Sequence, residues 1–323
     1  MRLKFCTLPL FAFVLVACGE EAETSAFDVG TSLELDVELI DRGVPDMSFD
    51  QMLESDSARP DATLTDMAVL PSSADCTSWA DVTNAQLVST LHQHLVNTYV
   101  PITPTPNFGG NPDRYTTARQ LMFTRVERFQ RDDEVYVVQC IYTNDTEFTP
   151  PDRDPDDDAI NCEHIWPRAR LDSDRSSRLY EHQQSDIHHL APSRPSANSL
   201  RGSLPFGEVV RDANRSAEPS VEGRDERGDR VFEPQDSSKG DIARVLFYMS
   251  IRWGLNITGV EEMYLRQWHN ADPVSLDEQA KNDERANIQG NRNPFIDCPD
   301  LVDRIDEFDA FTTVDTLQTL PFP

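Results

Sequence analysis

The sequence predicts an α+β domain that is mainly helical. Apolar residues recur at helical spacing in five segments, whereas the β-branched and aromatic run Glu134–Tyr142 indicates a buried strand. The chain has 323 residues, of which 38% are hydrophobic, so it can form a sizeable core. A single long apolar run occurs, at the amino terminus, and this excludes a multispanning membrane protein.

Residues 1–17 have the organisation of an export signal. Arg2 and Lys4 precede an apolar stretch that is too short for an ordinary membrane-spanning helix. The stretch ends in Leu15–Cys18, which resembles a bacterial lipobox, where cleavage leaves a lipidated cysteine. The alternative is an ordinary signal peptide in which Cys18 is incidental. We expect a lipoprotein held through Cys18 at the outer membrane, on its periplasmic or cell-surface side.

Residues 18–75 are interpreted as an acidic, disordered tether. From residue 19 to residue 75 the chain holds 15 carboxylates and two arginines, with no Trp or Tyr. Self-repulsion and little apolar area favour an extended segment. The folded domain is therefore expected over residues 76–323.

The cysteines agree with export. Cys6 lies in the signal and Cys18 is the predicted anchor, which leaves four disulfide candidates: Cys76, Cys140, Cys162 and Cys298. Four cysteines in an exported domain suggest two disulfides, and the sequence leaves three connectivities open. The absence of a CxxC pair disfavours a structural zinc site.

Helices are predicted on both sides of the buried strand. Before it, apolar stripes indicate helices over Ala85–Tyr99 and Tyr115–Arg128. After it, the same argument gives helices over Asp241–Trp253, Glu261–Trp268 and Leu276–Ile288. The intervening segment 211–237 is polar and carries glycines, so we expect an exposed excursion there.

The groups that can perform chemistry concentrate in residues 160–208. Four of the seven histidines lie in this window. From residue 161 to residue 215 there are eight arginines and seven carboxylates, although the whole chain is strongly acidic. Arginine can bind phosphate with its planar guanidinium. A solvated mixed-charge surface would have the same composition. The spacing of the residues is therefore needed to distinguish a phosphate-binding site from such a surface.

The spacing places three polar side chains at one end of a hairpin. Glu163 and His164 close a predicted strand, Asp186–Pro192 can return as a second strand, and Ser196–Ser203 can open a helix that carries Asn198. A carboxylate and an amide oxygen are ligands that suit Mg²⁺. A neutral histidine beside them can take a proton from water.

Two sequence blocks resemble a known family. CEHIWP at 162–167 and SDIHHLAPSRPSANSLRGSLPFGEV at 185–209 are similar to the endonuclease I family of periplasmic and secreted bacterial nucleases. Further similar blocks are Ser237–Met249, Gln289–Asp297 and the Tyr115–Glu127 helix with the strand that follows it. The resemblance covers most of residues 80–305 and implies a ββα-metal (His-Me finger) catalytic core.

The resemblance implies roles for individual residues. His164 would be the general base, and Glu163 and Asn198 would hold Mg²⁺, with Mn²⁺ or Ca²⁺ as substitutes. Arg201 would bind the substrate phosphate.

For other residues of the similar blocks, two interpretations of their role remain open. His188 and His189 either orient His164 or only pack, and we favour the supporting role. Asn291 and Arg292 either support the site or touch substrate. The chain also departs from the family pattern, with Ser203 where Asn is common and Arg168 where a neutral residue is common.

The resemblance implies a Mg²⁺-dependent, sequence-nonspecific endonuclease that hydrolyses phosphodiester bonds of DNA and, as a second substrate, RNA. We expect a monomer. The alternatives are a catalytically inactive surface binding module on the same fold and a phosphoesterase acting on small substrates. Acidity is the argument against a nuclease: a net charge of −28 excludes a DNA-coating protein and repels DNA at long range.

Overall fold

The computed structural model describes residues 76–106, 113–132, 135–150 and 153–308. Within these residues helices are combined with three small antiparallel sheets, so the predicted α+β class is confirmed. The predicted signal peptide, the lipidation site Cys18 and the acidic tether lie outside the described residues and stay predictions.

All five predicted helices are present, with small shifts at their ends. The α-helices of the described residues are α1 Asn84–Thr98, α2 Arg114–Leu121, α3 Arg178–Gln184, α4 Pro195–Arg201, α5 Lys239–Trp253, α6 Gly259–Ala271, α7 Leu276–Gln289 and α8 Pro294–Asp297. Helix α2 continues as a π-helical turn over Met122–Val126. None of the helices in the described ranges is long and apolar enough to cross a membrane.

The strands form separate small sheets. The first sheet has the order β1 Arg128–Asp132, β2 Val135–Gln139 and β3 Thr146–Thr149; the second pairs β4 Asn161–His164 with β5 Leu190–Ser193; the third has the order β6 Arg211–Ala217, β7 Ser220–Arg224 and β8 Arg230–Glu233. All neighbouring strands are antiparallel. The predicted strand Glu134–Tyr142 corresponds to β2, which is the central strand of the first sheet.

Helix α5 lies at the centre of the hydrophobic core. Nearly all its side chains are buried, which is expected of a helix whose apolar residues surround its axis. It packs against α1 and α6. Gly254 ends the helix with φ of 65°, a left-handed conformation that glycine adopts without steric cost. The segment 187–189, which leads into β5, packs against α5. Helix α5 therefore supports the hairpin β4–β5.

The segment 211–237 is not the exposed excursion that the sequence predicts. It forms the sheet β6–β7–β8, and Val221, Val231 and Phe232 are buried. Few apolar residues are needed because only one face of such a sheet is covered. At Gly223 a Cβ atom would lie 2.4 Å from Val209 Cγ1, so the close packing of β7 requires glycine.

The expectation of two disulfides is wrong, because only one bond is present among the described residues. Cys76 and Cys298 are bonded, with 5.8 Å between their Cα atoms. Cys140 and Cys162 are free thiols. They point to different partners: the Cys140 sulfur accepts a hydrogen bond from the Arg194 amide at 3.2 Å, whereas the Cys162 thiol faces the carbonyl of Glu163.

Removing the single disulfide should destabilise the fold strongly. The bond joins residues that are 222 positions apart, and in the chain-entropy model a loop of this length stabilises the folded state by about 5 kcal/mol. We expect the C76A/C298A double variant to lose several kcal/mol of unfolding free energy in urea denaturation. The C140A variant is the control for loss of a buried cysteine that forms no disulfide. Equal unfolding curves for the wild type and C76A/C298A would contradict the prediction.

Candidate functional site

The hairpin β4–β5 and helix α4 bring the predicted site residues together. In the hairpin, Glu163 lies opposite Ala191 and His164 opposite Leu190. Strand β5 is buried along its whole length, and its apolar residues fix the register of the pair. Helix α4 begins at Pro195, a favoured first helical residue, and presents Asn198 one turn later.

These residues line a single cavity of about 370 Å³. The cavity is open to solvent and lies between β4 and the second half of α4. Its lining consists of Tyr115, Asn161, Cys162, Glu163, His164, Pro167, Arg168, Ala169, Asn198, Ser199, Gly202 and Ser203. The convergence of Glu163, His164 and Asn198 that the spacing predicts is therefore present.

Glu163 has a buried carboxyl group that two side chains hold by hydrogen bonds. Its Oε1 atom accepts hydrogen bonds from the Tyr142 hydroxyl at 2.8 Å and from Arg201 Nη1 at 3.1 Å. Burial raises the pKa of Glu163, and the Arg201 charge and the Tyr142 hydrogen bond act in the opposite direction. The backbone of His164 also hydrogen-bonds this carboxyl and lowers its pKa, and Glu163 is among the residues that line the cavity.

His164 has one ring nitrogen fixed as a donor. Its Nε2 atom lies 3.1 Å from the carbonyl oxygen of Gln184. A carbonyl oxygen only accepts, so Nε2 carries the proton and Nδ1 keeps a lone pair. Burial, followed by the charges of His189 and Arg168, lowers the pKa of His164 well below its ordinary value. The imidazole is therefore neutral at pH 7 and able to accept a proton.

The amide of Asn198 is oriented by the strand beside it. Its Nδ2 atom donates to Asn161 Oδ1 at 2.9 Å and to the Cys162 carbonyl oxygen at 3.2 Å. Because that carbonyl can only accept, the nitrogen must face the strand. The amide oxygen is then directed away from these partners and is available as a ligand.

The donor set fits a magnesium-type ion. Glu163 and Asn198 offer a carboxylate oxygen and an amide oxygen on the same cavity, and Mg²⁺ binds few protein oxygens while it keeps several waters. Within the described ranges no cluster of three or more His, Cys, Asp or Glu side chains is placed to hold a metal. The chemistry of the cavity therefore matches a hard cation and does not match a closed zinc site.

Arg201 does not have the position that phosphate binding requires. Its side chain is 1% exposed, and it is absent from the cavity lining. Its guanidinium is committed to Glu163, to the carbonyl oxygens of His164 and Gly202 and, through Nη2 at 2.7 Å, to that of Ile165. Arg201 therefore makes internal contacts instead of the expected phosphate contact. These contacts join the end of β4 to the end of α4.

Asp186 anchors the segment that leads into β5. Its carboxylate accepts hydrogen bonds from Tyr248 at 2.8 Å, Trp253 Nε1 at 2.9 Å, Gln289 Nε2 at 2.8 Å and the His188 amide at 3.1 Å. Burial opposes the charge, but the neighbouring histidines and Gln289 lower the pKa of Asp186 below its ordinary value. The carboxylate is ionised and fixes the 3₁₀ turn Ile187–His189.

The two adjacent histidines have different surroundings. His188 Nε2 lies 3.1 Å from the Asn291 carbonyl oxygen, and its ring packs on Tyr248 at 4.3 Å. The His189 ring meets the His164 ring edge-on at 5.2 Å. Burial lowers the pKa of each to about 4. Of the two, His189 is the one that contacts the proposed base.

Asn291 and Arg292 lie away from the cavity lining. Asn291 is fully buried and donates to the Tyr248 hydroxyl at 2.6 Å. Arg292 forms ion pairs with Asp283 at 2.6 Å and Asp297 at 2.7 Å. The sequence left two roles open for these residues, support of the site or contact with substrate. Their positions away from the cavity agree with a supporting role.

Two tyrosines that were not predicted from the sequence shape the site. Tyr142 holds Glu163, and the Tyr115 ring packs against His164 with 5.1 Å between the centroids. A signal for Tyr142 was available, because a tyrosine in a buried apolar run needs a partner for its hydroxyl. Tyr115 lies at the start of a helix and carries no such signal.

Comparison with known proteins shows which proteins the sequence is similar to. The family model described as Endonuclease I matches residues 85–300. The chain is 33% identical over 161 residues to the extracellular ribonuclease of Bacillus amyloliquefaciens, covering 44% of this chain and 52% of the relative. It is 25% identical over 137 residues to the periplasmic deoxyribonuclease of Aeromonas hydrophila, covering 41% and 55%. The chain thus spans about half the length of these relatives.

Loss of Arg201 should destabilise the protein. The R201M variant leaves Glu163 buried without its cation, which we expect to lower the unfolding free energy by about 3 kcal/mol. The matched control is R215M, because Arg215 pairs with Glu218 at 3.0 Å on the exposed surface, where an ion pair contributes less than about 1 kcal/mol. Urea unfolding at pH 7 measures both. Equal losses in the two variants would refute the buried role.

His188 should make stability depend on pH. Its pKa is about 4 in the folded protein against an ordinary value of 6.5. The unfolded chain binds more protons between these values, so the contribution of His188 is complete above pH 6.5 and is lost as the pH falls toward 4. We expect H188Q to reduce the stability difference between pH 7 and pH 5 by about 2 kcal/mol. The exposed His94 supplies H94Q as the control for loss of an imidazole, and unchanged pH dependence in H188Q would count against the prediction.

Proposed function

The chain belongs to the endonuclease I family, and on that premise we propose that it is a metal-dependent, sequence-nonspecific endonuclease. Its substrate would be the phosphodiester bonds of DNA, with RNA as the second substrate. The observation that carries the proposal is the placement of Glu163, His164 and Asn198 on one open cavity. Relatives named as ribonuclease and as deoxyribonuclease support both nucleic acids as substrates.

His164 is the general base of the proposed reaction. Its Nδ1 lone pair takes a proton from a water molecule, while Nε2 stays bonded to the Gln184 carbonyl oxygen and keeps the ring in place. The water oxygen forms a bond to phosphorus, and the bond from phosphorus to the 3′ oxygen breaks. The leaving oxygen takes a proton from solvent, and the product carries a 5′ phosphate.

Glu163 and Asn198 are the residues that would hold Mg²⁺, or Mn²⁺ or Ca²⁺ in its place. The ion, when bound, would neutralise negative charge on the phosphate and on the departing oxygen. The protein prepares for it by pairing Glu163 with Arg201, whose charge lowers the pKa of that carboxyl against the effect of burial, and by turning the Asn198 oxygen away from the strand.

A lack of base selectivity follows from what the cavity offers. Its polar groups suit a phosphate and a metal ion, which are common to every nucleotide, and phosphate contacts carry no sequence information. Export is proposed as well, because relatives are named extracellular or periplasmic. Anchoring through Cys18 at the outer membrane and a monomeric state complete the proposal.

Plasmid cleavage tests the proposal. We expect the full chain to nick supercoiled DNA in Mg²⁺ and to stop in EDTA. H164A should lose at least about a hundredfold in rate, since general bases contribute two to four orders of magnitude. H94A is the matched control, because His94 lies on α1 outside the cavity lining. E163Q and N198A should each require more Mg²⁺ for half-maximal rate.

Two outcomes would overturn the proposal. Intact plasmid across a range of salt concentrations, from a protein shown to be folded, would favour the inactive binding module. Hydrolysis of a small chromogenic diester without cleavage of plasmid would favour a phosphoesterase for small substrates.

A further inference from the structure

Arg168 is the one arginine in the lining of the cavity. It begins the 3₁₀ turn Arg168–Arg170, directly after Pro167, and its side chain is exposed. Within the described part of the chain, no carboxylate lies within ion-pair distance of its guanidinium. Arg168 is thus a cation that lies four positions from His164 in a chain whose net charge is −28.

The turn that carries Arg168 is fixed by its other members. Arg170 donates to both carboxylate oxygens of Glu261, at 3.1 and 2.8 Å. The Arg170 amide donates to the Pro167 carbonyl oxygen at 2.8 Å, and Trp166 Nε1 donates to the Arg170 carbonyl oxygen at 3.2 Å. The backbone of Arg168 is therefore held on both sides, while its side chain remains available.

Tyr115 connects Arg168 to the proposed base. The guanidinium carbon of Arg168 lies 5.9 Å from the centroid of the Tyr115 ring, within cation–π range. The ring of Tyr115 also packs against the His164 ring at 5.1 Å. One aromatic side chain thus supports both groups and keeps the cation on the His164 side of the cavity.

We propose that Arg168 binds a phosphodiester group of the substrate at this cavity, in the place that the buried Arg201 does not fill. The guanidinium can donate two parallel hydrogen bonds to non-bridging phosphate oxygens, which a lysine cannot match. The inference rests on the proposed function, because the ligand is the nucleic-acid backbone. It assigns Arg168 to substrate binding, so its loss should raise KM more than it lowers kcat.

Oligonucleotide binding in EDTA tests this contact without catalysis. Fluorescence anisotropy of a labelled duplex with the full chain gives Kd at several salt concentrations. We expect R168Q to raise Kd about tenfold and to reduce the slope of log K against log salt by about one, as loss of one phosphate contact requires. R168K should keep the slope and lose part of the affinity.

R227Q is the matched control for charge. Arg227 is exposed in the turn between β7 and β8 and lies outside the cavity lining. The variant removes the same charge, so R227Q should keep both Kd and slope close to the wild type. Equal Kd values for the wild type, R168Q and R227Q, or equal losses in R168Q and R227Q, would overturn the inference.

Steady-state cleavage in Mg²⁺ separates this inference from the proposed function. A wild type that cleaves, with an R168Q variant of unchanged KM, leaves the function standing and refutes the role of Arg168. A wild type that binds through Arg168 but never cleaves refutes the function and keeps the inference. A folded wild type that neither binds nor cleaves refutes both.

Discussion

The buried ion pair between Arg201 and Glu163 is the constraint on which the site depends. Placing a carboxylate inside the protein is unfavourable unless a cation and hydrogen bonds compensate, and here one guanidinium provides both. The same group donates to carbonyl oxygens at the end of β4. It therefore sets the charge of the proposed metal ligand and joins the strand of Glu163 to the helix of Asn198.

The net charge of the whole chain and the charges at the cavity act over different distances. The chain as a whole is strongly negative, yet screening limits that field to about 10 Å at moderate ionic strength. Inside this distance the local groups decide, and at the cavity these are Arg168 and a carboxylate that the proposal pairs with a metal ion. In the proposed function, acidity would slow the approach of a nucleic acid without preventing its binding at the site, and salt would relieve the repulsion.

The sequence predicts what local spacing determines and fails where distant partners decide. The convergence of Glu163, His164 and Asn198 can be predicted from spacing. Glu163 and His164 end strand β4, and Asn198 lies one turn into the helix that follows its partner strand β5. Arg168 and Arg201 are the same residue type in the same window, yet one lines the cavity and the other is buried. Their surroundings come from the tertiary fold, just as the pairing of Cys76 with Cys298 does.

The sheet of residues 211–237 shows the same limit for the fold. Its strands bury a few apolar residues among many charged ones, so neither helical nor alternating periodicity is visible. Helices α1 and α5 were readable because each has an apolar stripe over several turns, whereas α7 buries the polar residues Glu278, Asn282, Arg285 and Gln289. Buried polar partners, such as those of Asp186, leave no trace in an apolar pattern.

The bond between Cys76 and Cys298 also changes what a protease can do to the protein. It encloses the hairpin, helix α4 and the cavity within one covalent loop. A single cut in any surface turn of that loop yields two polypeptides that stay linked through sulfur. The halves of the site then remain one molecule, so a nicked form can keep its native arrangement in surroundings rich in peptidases.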